Sequence, residues 1–310
     1  MEIRFTKYRR IYFTLSGLLI VASLILLFGY GLKPGIDFTG GTIMELEYKN
    51  DRPSNQDILA NIEEFNLGSV SVQPTGEKGV ILRMQEITEE THQNILTKLT
   101  GKEVVEADGG FAYETVKTSI EEIRFESIGP VIGNELKQKT KMVVVVALLS
   151  MIIYIALAFR RVQRPLKSWQ YGIASVLALF HDILIPLGIF VLLGKYYGVE
   201  ISIPIVTALL AVLGYSINNT VVVFDRIREN LIRRGGEFEE IVDVSLNETL
   251  SRQINTSLTT LFVSAAIFFW GGETLKYFAL ALLLGIGVGT YSSIFIAGSI
   301  LVTWYKLKHR

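Results

Sequence analysis

Long apolar runs dominate the chain. Windows of mostly apolar residues, each long enough or nearly so to cross a hydrocarbon core about 30 Å thick as helix, occur at 11–30, 142–159, 171–193, 201–224, 254–270 and 275–304. They predict a polytopic α-helical membrane protein with six transmembrane helices. The fifth run is short and begins among polar residues, so its first two turns need a buried environment.

Between the first and second runs the pattern changes. Alternation at 42–48, 70–73, 80–85 and 111–117 predicts strands, and helical periodicity predicts helices over 54–65 and 88–99, opened by Ser54 and Thr88 as N-caps. The order βαββαβ is that of an α+β ferredoxin-like domain placed between helices 1 and 2. Acidic residues outnumber basic ones in it, and its carboxylates are scattered as on a solvated face; His92 stands alone on a polar helix. Two stretches escape the strand and helix patterns. One is the turn Gly35-Ile36-Asp37-Phe38-Thr39-Gly40-Gly41-Thr42, whose glycines suit a tight turn or close backbone approach. The other, at 127–136, predicts a breaker followed by a helix running into the second span.

Basic residues orient the spans, because short loops rich in Lys and Arg stay cytoplasmic. Arg4, Lys7, Arg9 and Arg10 precede span one; Arg160, Arg161, Arg164 and Lys167 separate spans two and three; Arg226, Arg228, Arg233, Arg234 and Arg252 separate spans four and five; Lys306, Lys308 and Arg310 close the chain. The alternate short loops hold only Lys195 and Lys276. Both termini are therefore expected in the cytoplasm and the α+β domain outside it. The resulting plan is a cytoplasmic N-terminus and first helix at 1–30, the extracytoplasmic domain at 31–141, five more helices at 142–304 with an amphipathic cytoplasmic segment at 227–250, and a tail at 305–310. No A-x-A-like site follows span one, so it is expected to remain as an anchor.

Composition agrees with that plan. Half of the 310 residues are hydrophobic, only 19% are charged, and the net charge is zero; a soluble domain carries about 25% charged residues. There is no cysteine, which excludes disulfides, thiolate catalysis and cysteine-based metal sites. Neither a phosphate-binding loop nor a nucleophile suited to hydrolysis is present, so neither an enzyme nor a nucleic-acid binder is expected.

The polar residues inside the spans carry the candidate chemistry. An acid at a helix centre costs about 2.5–3.5 kcal/mol on insertion scales, and span three places His181 and Asp182 there, one turn before Pro186. Such a pair should face a bundle interior or water. On span four, Thr207, Ala211, Gly214, Asn218, Val222 and Asp225 form one small-and-polar stripe, with Asn219 about 100° round the helix from Asn218. Arg252, Asn255, Thr256, Thr259 and Thr260 repeat the pattern on span five, and the two stripes are expected to satisfy one another. Asp225 and Arg226 mark the cytoplasmic surface. Ala281, Gly285, Gly289, Ser293 and Ala297 make a small-residue ridge on span six, which predicts close helix packing rather than a transport role.

At these residues the chain resembles the SecF family of the bacterial SecD–SecF protein-export factor, within the resistance-nodulation-division superfamily. The resemblance runs end to end. It rests on the 35–42 turn with Asp37, Gly40 and Gly41, on Ser127-Ile128-Gly129-Pro130, on His181-Asp182, on the segments 214–220 and 224–230, and on Thr249-Leu250-Ser251-Arg252 leading to Thr256. It implies a subunit of the bacterial cytoplasmic membrane that works with a SecD-like partner beside the SecYEG channel, draws preprotein outward, and uses a gradient of H+ or Na+ without other cofactors. Arg252 maps onto the family's arginine at the start of span five.

Where many relatives have Asp after the first Asn of span four, this chain has Asn219, which cannot release a proton. Either neutral oxygens bind the ion with an acid from the partner, or Asp182 takes the larger share. Asp182 and the partner are therefore expected to supply titratable carboxylates, with Asn218, Asn219, Thr256 and Arg252 shaping the site. The rival expectations are half of a small-molecule or lipid exporter of the same superfamily, and a purely structural assembly subunit.

Overall fold

The computed structural model describes residues 3–100, 102–106, 112–116, 120–159 and 165–308. Arg160, Arg161, Arg164 and Arg310 of the predicted cytoplasmic basic groups, and the ends of the predicted strand 111–117, lie outside the described residues. The chain divides into two compact units, Pro34–Thr140 and Met1–Lys33 with Lys141–Arg310.

After α1 (Arg9–Tyr30), the smaller unit runs α2 (Ile36–Thr39), β1 (Gly41–Tyr48), α3 (Asn55–Ile62), β2 (Ser71–Thr75), β3 (Gly79–Met84), α4 (Glu89–Thr100), β4 (Lys102–Glu106), β5 (Ala112–Val116) and β6 (Ile120–Ile128). Ser54 caps α3 by accepting from the Asp57 amide, and Thr88 opens α4 by accepting from Thr91. The main sheet is antiparallel with order β2-β3-β1-β6, while β4 and β5 pair only with each other.

The strand expected over 111–117 therefore belongs to a separate hairpin. The strand that completes the main sheet is β6. Its alternation is interrupted because the register shifts between Glu45 and Leu46 of β1, which face Arg124 and Glu122; the skipped Ile123 is left exposed. Met44, Leu46, Tyr48, Ile58, Val80, Leu82 and Ile95 fill the core of this unit.

His92 is not alone. It is buried, stacked on Phe125 at 3.7 Å between ring centroids, with Nε2 2.7 Å from Glu122 and Nδ1 3.2 Å from Glu89. Gly40 and Gly41 take φ of +74° and +128° where α2 turns into β1. A Cβ on Gly40 would lie 2.8 Å from the Pro130 Cα, so the turn needs glycine for conformation and for space. Asp37 sits in the single turn of α2 just before it.

The larger unit comprises α1 and α5 (Pro130–Ala158, from Lys141 onward), α6 (Ser168–Tyr197), α7 (Ile203–Arg233), α8 (Phe238–Trp270), α9 (Gly272–Tyr291), a π turn (Ser292–Ala297) and α10 (Gly298–Lys308). Among the described residues, five helical stretches are long and apolar enough to cross a membrane: Thr6–Tyr30, Pro130–Ala158, Ser168–Tyr197, Ile203–Arg233 and Thr274–Lys308. Half of the apolar window is buried in each of the last three, against 11% and 6% in the first two, so α6, α7 and α9 form the centre.

The predicted amphipathic segment 227–250 and the fifth run are not separate elements. Residues up to Arg233 continue α7, and α8 is one 33-residue helix that starts at Phe238 and ends at Trp270. In its hydroxyl-rich middle, Thr249, Thr256 and Thr260 satisfy their hydroxyls within the helix by donating to carbonyls one turn earlier.

The polar stripes also differ from expectation. Thr207, Gly214, Asn218 and Asp225 on α7, and Arg252, Asn255, Thr256 and Thr259 on α8, are exposed, and among the described residues no hydrogen bond joins the two stripes. Helix α7 instead turns Val212, Ser216, Asn219, Thr220 and Val223 inward, a face set by its apolar residues rather than by its most polar ones.

Candidate functional site

Helix α6 carries His181 and Asp182 to the centre of the bundle, where they are 2% and 0% exposed. Pro186, one turn on, has no amide hydrogen and removes the usual helical partner of the Asp182 carbonyl. Three side chains converge on the Asp182 carboxyl. His181 Nδ1 lies 2.8 Å from Oδ1; Oδ2 accepts from Ser292 Oγ at 2.8 Å and from Ser216 Oγ.

These side chains come from three places in the chain. Ser216 lies on the buried face of α7, and Ser292 opens the π turn. On the π turn consecutive serines serve different partners, Ser292 reaching Asp182 on α6 and Ser293 reaching Gln253 on α8 at 2.6 Å. Gly285 and Gly289 allow α9 to approach α7 closely: a Cβ on Gly285 would collide with Val212, and one on Gly289 would stand 3.3 Å from Ser216 and 3.6 Å from Asp182 Oδ2. The packing ridge expected on span six is thus also one wall of the carboxylate site.

A second polar line flanks the first. Tyr215 donates to Ser257 at 3.0 Å, Ser257 pairs with Thr290 at 2.6 Å, and Gln253 donates to Thr249 at 3.2 Å. Asn219, one turn beyond Ser216 on the same face, is 3% exposed and its Nδ2 has no hydrogen-bond partner among the described residues.

Of the residues singled out by sequence, His181 and Asp182 lie at this site and Asn219 lies on the same helical face as its Ser216 wall. Asn218 and Thr256 point outward. Asp225, Arg226 and Arg252 line a separate polar cleft with Glu229 and Glu248, in which Arg226 lies 3.0 Å from Glu229 and 3.7 Å from Glu248. Asp37, Gly40 and Gly41 belong to the other unit. Ser16, Ser216, Gln253, Tyr291, Ser292 and Ser293 were not legible as site residues. Single serines in apolar runs were the available signal.

An ionised carboxylate accepts hydrogen bonds and donates none. The two serine hydroxyls that donate to Oδ2 match the charged form, while a proton gained on Oδ1 would make that oxygen the donor toward His181 Nδ1 and leave both serine bonds in place. Through Ser216 and Ser292 the carboxyl ties α6 to α7 and to the π turn.

Comparisons with known proteins bear on this geometry. The family model described as protein export membrane protein SecD/SecF, C-terminal, matches residues 111–307, and the SecD/SecF GG motif model matches 25–51. The protein translocase subunit SecF of Thermobaculum terrenum is 41% identical, covering 96% of this chain and 92% of that one; its counterpart from Desulfurispirillum indicum is 38% identical over 97% and 91%. The crystal structure of SecDF from Thermus thermophilus, titled a translocon-associated membrane protein, superposes with a TM-score of 0.78 at 32% identity and covers all of this chain. This chain spans 39% of that longer one.

Proposed function

The chain belongs to the SecD/SecF protein-export family as a SecF-type accessory subunit of Sec export, and we propose that it couples export to an ion gradient through the buried carboxylate of Asp182. The observation that carries this reading is the convergence of His181, Ser216 and Ser292 on a fully buried acid.

Magnitudes support it. A charge crossing 100 mV yields about 2.3 kcal/mol, and a hydrogen bond to a charged group contributes about 1.5–3 kcal/mol. One ion per cycle is enough to break or remake one tie between α6 and its neighbours. Because those ties join three helical elements, the loss of one becomes a change in helix packing.

The partner is a SecD-like subunit. Its support is the outward stripe of Asn218, Arg252 and Thr256, polar groups on long helices that lipid would not solvate. In this reading the segment 254–270 of α8 forms a sixth crossing, covered by that partner where it is polar. An even number of crossings with basic residues at both chain ends puts both termini in the cytoplasm of a multi-pass bacterial inner-membrane protein. The order β2-β3-β1-β6 with α3 and α4 supports a ferredoxin-like extracytoplasmic domain, which engages the emerging preprotein beside the SecYEG channel.

The test is export of a preprotein into vesicles that contain the channel, with the chain and its SecD partner present or absent. The pair should raise export, and a protonophore or sodium ionophore should abolish the gain. A gain insensitive to both ionophores would refute gradient coupling.

A further inference from the structure

A line of hydrogen bonds leads away from Asp182 along elements that the carboxylate switch does not use. His181 Nε2 lies 3.1 Å from Ser16 Oγ, Ser16 donates to the Tyr291 hydroxyl at 3.4 Å, and Tyr291 donates to the Tyr12 carbonyl at 3.5 Å. His181 and Ser16 are buried, at 2% and 4% exposure, and the Tyr291 ring lies over the imidazole with centroids 6.0 Å apart. Tyr12 and Tyr291 are only partly buried. The line thus begins at a sealed acid and ends at two partly buried tyrosines beside the first turns of α1.

Its direction follows from the helices. Tyr12 and Ser16 lie in the first two or three turns of α1, which starts at Arg9, whereas Asp182 is in the middle of α6. In the orientation proposed above, the line descends from the bundle centre to the cytoplasmic side.

We propose that His181, Ser16 and Tyr291 form a proton relay, the inner half of the coupling-ion path, which makes H+ the coupling ion. This deepens the reading of Asp182 and rests on it. In the transfer, Asp182 gives its proton to His181 Nδ1, and the ring's Nε2 proton passes to Ser16 as Ser16 passes its own to Tyr291. Tyr291 releases one proton to water at the cytoplasmic surface. One proton leaves the carboxyl, one enters water, and the ring and hydroxyls then turn back to restore their starting bonds. Each member can both give and take a proton, as such a chain requires. A sodium ion following this line would have to displace the His181 imidazole, which stands between Asp182 and the hydroxyls beyond it and moves a proton without moving itself.

The experiment reconstitutes the chain with its SecD partner in proteoliposomes enclosing a pH-sensitive dye, and records proton flux in H2O and D2O. Ser16→Ala and Tyr291→Phe should each lower flux about tenfold or more, with the partner still co-purifying, and the unaltered complex should be slower in D2O. Tyr291→Phe removes one partly exposed hydroxyl, so its result stands even if Ser16→Ala fails to assemble. Full flux through Tyr291→Phe, together with loss of flux in Asp182→Asn, would overturn the relay and leave the carboxylate reading intact. Full flux in Asp182→Asn would overturn both, and sodium flux without proton flux would overturn the choice of ion.

Discussion

Ser292 donates a hydrogen bond to Asp182 across 110 residues of sequence, at 2.8 Å and in a site closed to solvent. Ser292 stands at the start of the π turn, and its neighbour Ser293 holds Gln253 on α8. Removing a donor from a buried charge costs about 1.5–3 kcal/mol. Ser292→Ala should therefore lower gradient-driven export several-fold, and Ser292→Thr, which keeps the hydroxyl, should retain most of it. Equal export by the two variants would show that the bond does not matter.

The small-residue ridge gives a matched pair of substitutions. A Cβ on Gly285 meets the Val212 side chain, whereas one on Gly287 has nothing within 4 Å. Gly285→Ala should cost about 1–3 kcal/mol as overpacking. Gly287→Ala should be neutral or stabilising by up to about 1 kcal/mol through helix propensity. Thermal unfolding of the two variants in detergent would show the contrast.

Asn219→Asp places a second carboxylate on the inner face of α7, one turn from Ser216. Two acids near one another do not ionise independently. The pH profile of gradient-driven export should therefore shift or broaden in this variant, whereas an unchanged profile would place Asn219 outside the ion's path.

At the other end of the unit, Thr6 gives both its amide and its hydroxyl to Asp243, at 2.9 and 2.8 Å, tying the N-terminal segment to the start of α8. Burial raises the Asp243 carboxyl above its ordinary value even though the Thr6 bonds oppose the shift. The folded chain thus keeps this proton over a pH range in which the unfolded chain has lost it. Stability from this group is greatest at low pH and falls as pH rises through that range. Asp243→Asn should flatten that part of the stability profile, measured as melting temperature against pH relative to the unaltered chain.

Much of this architecture is legible in the sequence, because membrane spans and caps are local signals. Ser54 and Thr88 open their helices as predicted, and His181 with Asp182 stands out as an ionisable pair in an apolar run. The donors around Asp182 were not legible. Ser16, Ser216 and Ser292 are ordinary residues for a span, and they become a site only when α1, α7 and the π turn meet α6. The stripes on α7 and α8 misled for a related reason: a periodic polar face shows that something polar covers it, but not that the cover lies in the same chain. In the α+β unit, β6 was hidden by the bulge at Ile123, which breaks the alternation that identifies a strand.

The most direct test of the account replaces the acid itself. Asp182→Asn keeps the size and polarity of the side chain, and removes the charge and the exchangeable proton. Export into vesicles carrying the channel and SecD partner, measured with the gradient intact and with it collapsed, should show that this variant exports at the same low rate in both conditions. An Asp182→Asn complex that still exported faster with the gradient than without it, to the full extent of the unaltered protein, would contradict the central role given to this carboxylate.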